Sequence, residues 1–383
     1  MIDIPLPQER HQLDRVLALQ AYAAACTRDP VSAKAAVCAA FGLSGDLNDE
    51  LLLCAMLLLA YGRFTEGKQI LLQVALADAS KIQPVYDIAA SVFKYFNAGM
   101  SIPELARFGV DLVLQVYQHD PRSADAQRAL LDLLLYFGSA DDAERILLQA
   151  GAAHLQDEMT ELQCYRQRLA DYRDQYRLSI VLITYQRPAL LQATLAGLRE
   201  QLGEQDVEII IGVNDDWPQT RQVIEQAGID KVFFNDGNAG INLYKQVFPM
   251  ASGEYIIEID DDIQAFPAGF DRQIIACLQA RPDLGLVGHW PAGFHDLTRG
   301  QALPAAESVH ARCEVAGLPF GIGPVAGACA GMRRRDFLTI NGFSRASLSK
   351  YSGEEPQLIR KLSMYGKISG VIFDQGLIVN VTE

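Results

Sequence analysis

The chain has 383 residues, of which 50% are hydrophobic and 21% are charged, with 16 Pro and 30 Gly. This composition excludes disorder, collagen-like repeats and low-complexity sequence as the main content, and the length allows two domains of ordinary size. The formal net charge of −14 repels a phosphate backbone over most of the surface, so we expect no nucleic-acid partner.

The cysteines and the N-terminal residues bear on the cellular compartment. Seven cysteines without a C-x-x-C pair fit reduced thiols better than a disulfide framework. The opening sequence MIDIPLPQERHQLDR lacks a basic segment followed by an apolar one, and the longest apolar run, 51–61, is far shorter than the ~20 residues that span a bilayer. We therefore expect a cytoplasmic protein without a transmembrane segment, and peripheral attachment to a membrane remains open.

Residues 1–172 have apolar positions at helical spacing, which predicts an all-α domain. The segments AYGRFTEGKQILLQ (60–73) and LYFGSADDAERILLQ (135–149) are similar to each other. Three glycines at spacings of 37 and 39 residues mark the predicted turns: Gly62, Gly99 and Gly138. The unit resembles a degenerate tetratricopeptide-like repeat, with an ordinary helical bundle as the alternative. We expect this domain to bind an acceptor or a protein partner.

From residue 173 to 383 apolar strands alternate with helices, which predicts an α/β domain with a mainly parallel, doubly wound sheet. The predicted strands are LSIVLITY (178–185), VEIIIGV (207–213), KVFFND (231–236), EYIIEIDDD (254–262) and LGLVGHW (284–290). Sites in such sheets lie at the carboxyl ends of the strands, so the polar residues after each strand are the candidate functional residues.

Asp260, Asp261 and Asp262 end a strongly apolar predicted strand. Three successive carboxylates at the end of a buried strand repel one another unless a cation is bound there. Asp260 and Asp262 point to the same side if the segment is extended, so this pair could bind one divalent ion. The alternative is a solvated acidic loop.

Four segments carry a resemblance to a known family. SIVLITYQRP, NDGNAGINLYKQVFPMASGEYIIEIDDDI, GACAGMRRRDFLTINGF and SGEEPQLIRKL resemble, in order, the first strand, the acidic metal motif with its preceding segment, the acceptor-side strand and helix, and the acidic helix start of the family 2 glycosyltransferases. The resemblance covers about residues 177–375. It implies a GT-A (Rossmann-like) fold and an inverting, hexosyltransferase-type transfer from a nucleotide-diphosphate sugar, with Mn²⁺ or Mg²⁺ as cofactor.

The resemblance also assigns residues of this chain to the donor. Asp260 and Asp262 would bind the metal, and Asp261 would lie beside the ribose or the sugar. The remaining donor-side candidates are Thr184, Tyr185, Arg187, Asn214, Asp215, Asn242 and Arg334. The first three would line the nucleoside pocket, and Asn214 or Asp215 would bind the base. Arg334 is chosen from three successive arginines, 333–335, after a small-residue stretch; one of them could face the diphosphate or an anionic acceptor, with a solvated helix start as the alternative.

Glu355 is the predicted catalytic base, with Glu354 as the reserve. A carboxylate there could accept the proton of an acceptor hydroxyl as its oxygen attacks the anomeric carbon. The family more often has Asp at the second position, so Glu355 is longer by one methylene. Ser352 to Glu355 also match the S-x-x-E capping box, and the two roles are compatible.

Three classes of function remain open. The first is a glycosyltransferase whose acceptor is a glycan or a protein. The second is a nucleotidyltransferase, although its Gly-rich phosphate loop is missing from residues 184–188. The third is an inactive GT-A scaffold that acts as a binding module, which the presence of both Asp260 and Asp262 disfavours.

Overall fold

A computed structural model describes residues 47–60, 64–82, 85, 111–118, 121–136, 138–150, 155–214, 217–229, 231–290, 295–296, 301–302, 310–325, 327–343, 354–373 and 376–379. Two compact units divide the chain between Gln167 and Arg168. The sequence predicts this domain boundary between residues 172 and 173, five residues later.

The described residues of the first unit are helical. The helices are α1 (Leu47–Ala60), α2 (Phe64–Ala77), α3 (Ala124–Tyr136), α4 (Ala140–Ala150) and α5 (Gln156–Ala170), with further helical residues at 111–118. Helix α1 packs on α2, and α3 packs on α4. The two similar sequence segments therefore cover equivalent places, the junction between the helices of each pair. Gly138 (φ 74°) forms the second junction, whereas Gly62 and Gly99 lie outside the described residues. The tetratricopeptide-like assignment stays a prediction.

The core of this unit follows helical periodicity. Helix α1 buries side chains three or four positions apart: Leu52, Leu53, Ala55, Met56 and Leu59. The buried Asp49 carboxylate accepts a hydrogen bond from Lys81 Nζ at 2.7 Å, which compensates for the burial of its charge. In the described part of the chain, no helix is long and apolar enough to span a bilayer.

The second unit is α/β. Its strands are β1 (Tyr176–Thr184), β2 (Val207–Asn214), β3 (Lys231–Asn235), β4 (Gly253–Ile259), β5 (Ile263–Ala265), β6 (Leu284–His289), β7 (His295–Asp296), β8 (Gln301–Ala302), β9 (Ala311–Val315), β10 (Leu318–Ile322), β11 (Cys329–Arg333), β12 (Ile368–Ile372) and β13 (Ile378–Val379). Its helices are α6 (Pro188–Gln201), α7 (Pro218–Ala227), α8 (Tyr244–Val247), α9 (Phe270–Ala280), α10 (Arg334–Thr339) and α11 (Glu354–Met364).

The main sheet has the strand order β3-β2-β1-β4-β11-β6-β12-β10-β9. Strands β10 and β11 run antiparallel to their neighbours, and the other seven strands share one direction. The predicted mainly parallel sheet is therefore confirmed, although the strand predicted on the acceptor side, β11, runs against the others. The strand order reverses between β1 and β4, because β2 and β3 extend from one side of β1 while β4 lies on the other. Open α/β sheets bind ligands at such a switch point.

Strand β1 shows why this sheet is buried on both faces. Leu178, Ile180 and Leu182 belong to one hydrophobic core, which includes residues of α6 and α9. Val181 points to the opposite core, which includes residues of α8, α10 and α11. The alternation follows the period of two of a β-strand, and apolar residues on both faces produce the hydrophobic run at 180–183 seen in the sequence.

Candidate active site

The ends of β1 and β4 are joined by side-chain hydrogen bonds at the switch point. Thr184, the last residue of β1, is buried, and its Oγ1 donates to Asp261 Oδ2 at 2.5 Å. Arg187 Nη1 lies 3.4 Å from Asp261 Oδ1 and 3.3 Å from Asp262 Oδ2. Four residues that the sequence assigned to the donor and the metal thus form one cluster.

Asp261 is the more enclosed of the two carboxylates in this cluster, with 7% of its surface exposed. Burial raises the pKa of Asp261, and the Thr184 hydroxyl, the Arg187 guanidinium and the backbone N–H of Tyr185 oppose that rise. Because these groups already contact its carboxylate, Asp261 orders the loop in this structure. A direct contact of Asp261 with the donor stays a prediction.

Asp262 differs from Asp261 in the hydrogen bonding of its carboxylate oxygens. Its Oδ1 is buried and has no hydrogen-bond partner among the described residues. Burial and the adjacent Asp261 charge raise the pKa of Asp262 to about 6, although Arg187 acts in the opposite direction. A buried anionic oxygen without a donor is unfavourable by itself and is suited to a cation.

The acidic segment is a turn, not the extended strand that the sequence suggested. Asp261 and Asp262 connect β4 to β5 through this turn, so strand alternation does not decide which carboxylates point together. Thr194 Oγ1 of α6 donates to the carbonyl oxygens of Asp261 (2.9 Å) and Ile263 (3.2 Å). These hydrogen bonds hold the turn against the helix.

Sequence reasoning missed Thr194. Its signal is a polar side chain on the buried face of α6, beside Leu191, Leu195 and Leu198. A fully buried hydroxyl on such a face needs a partner. The carbonyl oxygens of the acidic turn supply that partner.

The residues after β1 have an unusual backbone. Gln186 has φ 54°, in the left-handed region that residues other than glycine seldom adopt. The kink separates Tyr185, whose exposed fraction is 38%, from Arg187, and Pro188 then begins α6. Backbone strain of this kind is common at functional sites.

Asn214, predicted to bind the base, has an internal role. It is 2% exposed, its Nδ2 donates to Gly240 O at 3.1 Å, and its Oδ1 accepts from Ala239 N at 2.8 Å. These bonds use its amide to hold the turn Gly240–Leu243, which contains Asn242, at the end of β2. The structure thus makes Asn214 a support for this turn. Asp215 lies outside the described residues.

Arg334 does not join the site, which corrects the sequence prediction. Its guanidinium donates to the carbonyl oxygen of Gly253 at 2.9 Å and to Asp174 Oδ1 at 2.8 Å, and it also contacts Arg173 O. Gly253 is the first residue of β4, whereas the carboxylates follow its last residue. Seven residues of extended chain span about 20 Å, so Arg334 lies at the opposite edge of the sheet. It anchors the segment that leads into β1.

Glu355 lies on the active-site side of the sheet. It is the second residue of α11 and is 8% exposed. A Cβ atom built on Gly327 would be 2.7 Å from Glu355 Cδ and closer still to Oε1, so the carboxylate rests against the Gly327 backbone. The next residue, Ala328, accepts a hydrogen bond from Asp260 N at 3.1 Å. The Glu355 carboxylate therefore contacts Gly327, and the residue after Gly327 accepts a hydrogen bond from the acidic segment.

The first residues of the S-x-x-E pattern, Ser352 and Gly353, lie outside the described residues, so the capping role stays a prediction. Glu354 is the first residue of α11, and its role as the reserve base also stays a prediction. Within the described ranges, no three His, Cys, Asp or Glu side chains form a group that could hold a metal ion.

Comparisons with known proteins identify the class of the α/β unit. Residues 179–340 match the model of the Glycosyl transferase family 2. This match supports a glycosyltransferase and the predicted GT-A type of fold. A search of curated proteins found no match.

Solved structures similar to the chain include three complexes. A mannosyltransferase from Pyrobaculum calidifontis with GDP-Man and Mn²⁺ is 16% identical, over 64% of this chain and 69% of that chain, with a TM-score of 0.42. Glucosyl-3-phosphoglycerate synthase from Mycobacterium tuberculosis with Mn²⁺, UDP and glucosyl-3-phosphoglycerate is 15% identical, over 57% and 76%, with a TM-score of 0.36. The same enzyme with Mg²⁺ and UDP is 14% identical, over 58% and 76%, with a TM-score of 0.37.

Proposed function

We propose that the α/β unit is an inverting, metal-dependent glycosyltransferase that moves a sugar from a nucleotide-diphosphate donor to a hydroxyl of a glycan or a protein. One observation carries the proposal. At the β1/β4 switch point, the buried Oδ1 of Asp262 has no hydrogen-bond partner among the described residues and lies in the same turn as a second buried carboxylate, Asp261.

We expect Asp262 and Asp260 to supply two ligands of a divalent cation, with water and the phosphate oxygens of the donor supplying the others. Asp262 offers a buried oxygen, and Asp260 lies at the end of the same strand. Carboxylate oxygens are the ligands that Mn²⁺ and Mg²⁺ prefer. When bound, the cation would stabilise the negative charge that develops on the leaving diphosphate. Thr184 and Arg187 would keep Asp261 and its turn in place while the donor binds.

The chemistry on the acceptor side requires a proton acceptor. The acceptor oxygen forms a bond to the anomeric carbon, the bond between that carbon and the diphosphate breaks, and the hydroxyl proton passes to the base. We assign this role to Glu355, and the contact of its carboxylate with the segment that hydrogen-bonds Asp260 supports the assignment.

We assign acceptor or partner binding to the helical unit. Its paired helices form a second folded unit of the same chain, which could offer a surface for such binding. Deleting residues 1–167 should leave donor cleavage intact while transfer to the natural acceptor falls. A truncated, folded α/β unit that transfers to this acceptor at the full rate would contradict the assignment.

The experiment that tests the catalytic proposal is a thermal-shift and turnover screen. The full chain is mixed with UDP-glucose, GDP-mannose and other nucleotide sugars, with Mn²⁺ or with EDTA. A donor that binds the folded state raises the Tm, and the proposal expects this rise only with the metal, accompanied by release of the nucleoside diphosphate. In the variant Asp262→Asn the metal-dependent rise in Tm should be lost. Glu200→Gln, a substitution at an exposed position of α6, is the control and should keep it.

Two outcomes would contradict the proposal. The first is that no nucleotide sugar raises the Tm or is cleaved under either condition. The second is that the chain releases pyrophosphate from a nucleoside triphosphate and a sugar phosphate, which would indicate a nucleotidyltransferase.

A further inference from the structure

The space above Gly327 is filled by one side chain. The three atoms nearest to a Cβ built on this residue all belong to Glu355: Oε1, Cδ at 2.7 Å and Cγ at 3.5 Å. A real Cβ atom could not lie as close to Oε1 and Cδ as this position would require. Any side chain at position 327 would therefore meet the Glu355 carboxyl group.

The backbone of Gly327 does not require glycine. Its φ lies outside the left-handed region, in contrast to Gly228 and Gly269. An L-residue could therefore adopt this conformation without backbone strain. The need for glycine comes from the space that the Glu355 carboxylate occupies.

We infer that Gly327 is a positioning residue for the catalytic base, because its missing side chain gives the Glu355 carboxylate room beside the acidic turn. The inference rests on the proposed function, in which Glu355 accepts the acceptor proton. It also accounts for the length of Glu355. Of its side-chain atoms, the ones added beyond the reach of an Asp are those that crowd position 327, whereas Cγ is at ordinary contact distance.

A methyl group at position 327 should move the carboxylate and leave the backbone in place. The crowded atoms are the far end of a flexible side chain, which can change rotamer at small cost. Stability should therefore change little. Catalysis is more sensitive, since a displacement of about 1 Å from the reacting geometry can lower the rate by roughly 10²-fold.

The test is a cycle of four full-length proteins: the wild type, Gly327→Ala, Glu355→Asp and the double variant. Donor hydrolysis, with water as the acceptor, gives kcat and the donor KM from nucleoside diphosphate release. Gly327→Ala should lower kcat by roughly 10- to 100-fold with the donor KM within about twofold. In the Glu355→Asp background the same change should lower kcat by less than about threefold, because the shorter side chain relieves the crowding.

Gly197→Ala is the matched control. A Cβ there would meet only Phe266, at 3.6 and 3.8 Å, which is ordinary contact, so kcat should stay at the wild-type level. The Tm should not fall, because Ala has a higher helix propensity than Gly in the interior of α6. The pH dependence of kcat is a second measurement, because a general loss of stability would not shift the apparent pKa of the base. In Gly327→Ala the limb of the kcat profile that reports the base should shift, because the carboxylate has a new environment.

Three results would overturn the inference: an unchanged kcat in Gly327→Ala, an equal loss in both backgrounds of the cycle, or a kcat profile whose basic group is unmoved. Failure of the proposed function would look different, since the wild type itself would then release no nucleoside diphosphate. In that case crystal structures of the wild type and of Gly327→Ala test whether a side chain at position 327 displaces the Glu355 carboxylate. A Glu355 carboxylate at the same place in both would refute it.

Discussion

Asp262→Asn should stabilise the metal-free protein and abolish its response to metal. Asn keeps the shape of the side chain and removes the charge. The carboxylate of Asp262 has a pKa raised from 3.8 to about 6, first by burial and then by Asp261. The folded state therefore disfavours the ionised form, and the neutral amide escapes this cost.

The size of the effect follows from the shift. A rise from 3.8 to about 6 corresponds to about 3 kcal/mol at neutral pH. Because 19% of the Asp262 side chain and 41% of the Arg187 side chain are exposed, screening by solvent reduces this to about 1–3 kcal/mol. For a unit of this size, each kcal/mol raises the Tm by about 2–4 °C.

The pH dependence has a definite sign. A raised carboxyl pKa means that the folded state binds this proton more tightly than the unfolded state, so the folded wild type loses stability as the pH rises from 3.8 to 6. The advantage of Asp262→Asn should therefore be small near pH 4 and reach its full value above pH 6. Thermal unfolding in EDTA across this range measures it, and the same experiment with Mn²⁺ should raise the Tm of the wild type alone.

Two results would refute the reasoning. If Asp262→Asn lowers the Tm in EDTA at pH 7.5, the carboxylate makes favourable contacts that the structure does not show. If Mn²⁺ and a nucleoside diphosphate stabilise the variant as much as the wild type, Asp262 is not a ligand. Glu200→Gln should keep the wild-type Tm in EDTA and should respond to Mn²⁺ and the nucleoside diphosphate as the wild type does.

Three further predictions concern single side chains. Glu355→Gln should lower turnover by roughly 10² to 10⁴ with a nearly unchanged Tm, and Glu354→Gln is its control, since a larger loss there would move the base by one residue. Thr194→Val should cost about 1–3 kcal/mol in thermal unfolding and weaken Mn²⁺ binding, because two carbonyl oxygens of the acidic turn lose their donor; Thr194→Ser should retain both properties, and an unaffected Val variant would contradict the role. Burial raises the pKa of Glu208, but Lys231 and two serines outweigh it and lower the pKa below 4.5, so Glu208→Gln should destabilise at pH 7 by about 1–3 kcal/mol and the difference should narrow below pH 4.5; a difference that does not change with pH would exclude the carboxylate charge as its source.

The sequence predicted the sheet because its signals are local. The apolar run of strand β1 follows from burial on two faces of the sheet, and the three carboxylates after β4 mark the place where that buried strand ends. The convergence of Thr184, Arg187 and Asp261 was also predictable, since parallel strands place their carboxyl ends at one edge. Local pattern and topology together thus gave the position of the site.

The sequence could not predict which polar side chains serve the ligand and which serve the fold. Asn214 and Arg334 have the right chemistry for a donor, but backbone groups far away in the chain use their hydrogen bonds. For Arg334, the antiparallel direction of β11 decided the outcome: it sends the chain from the carboxyl edge of the sheet to the amino edge before α10 begins. Strand direction is a property of the whole topology, which the residues of β11 do not encode locally.

The charges of the cluster set a condition on any donor that binds there. Asp260, Asp261 and Asp262 contribute three carboxylates, and among the charges placed next to them Arg187 contributes one cation. A nucleoside diphosphate brings further negative charge to the same edge, where burial strengthens every repulsion. Arg187 cannot neutralise both the turn and the diphosphate, so a divalent cation must enter with the donor or before it. Donor affinity should therefore depend on Mn²⁺ more steeply in Arg187→Ala than in the wild type, and equal dependence, measured by calorimetric titration of the donor at several Mn²⁺ concentrations, would show that the guanidinium does not share this electrostatic role.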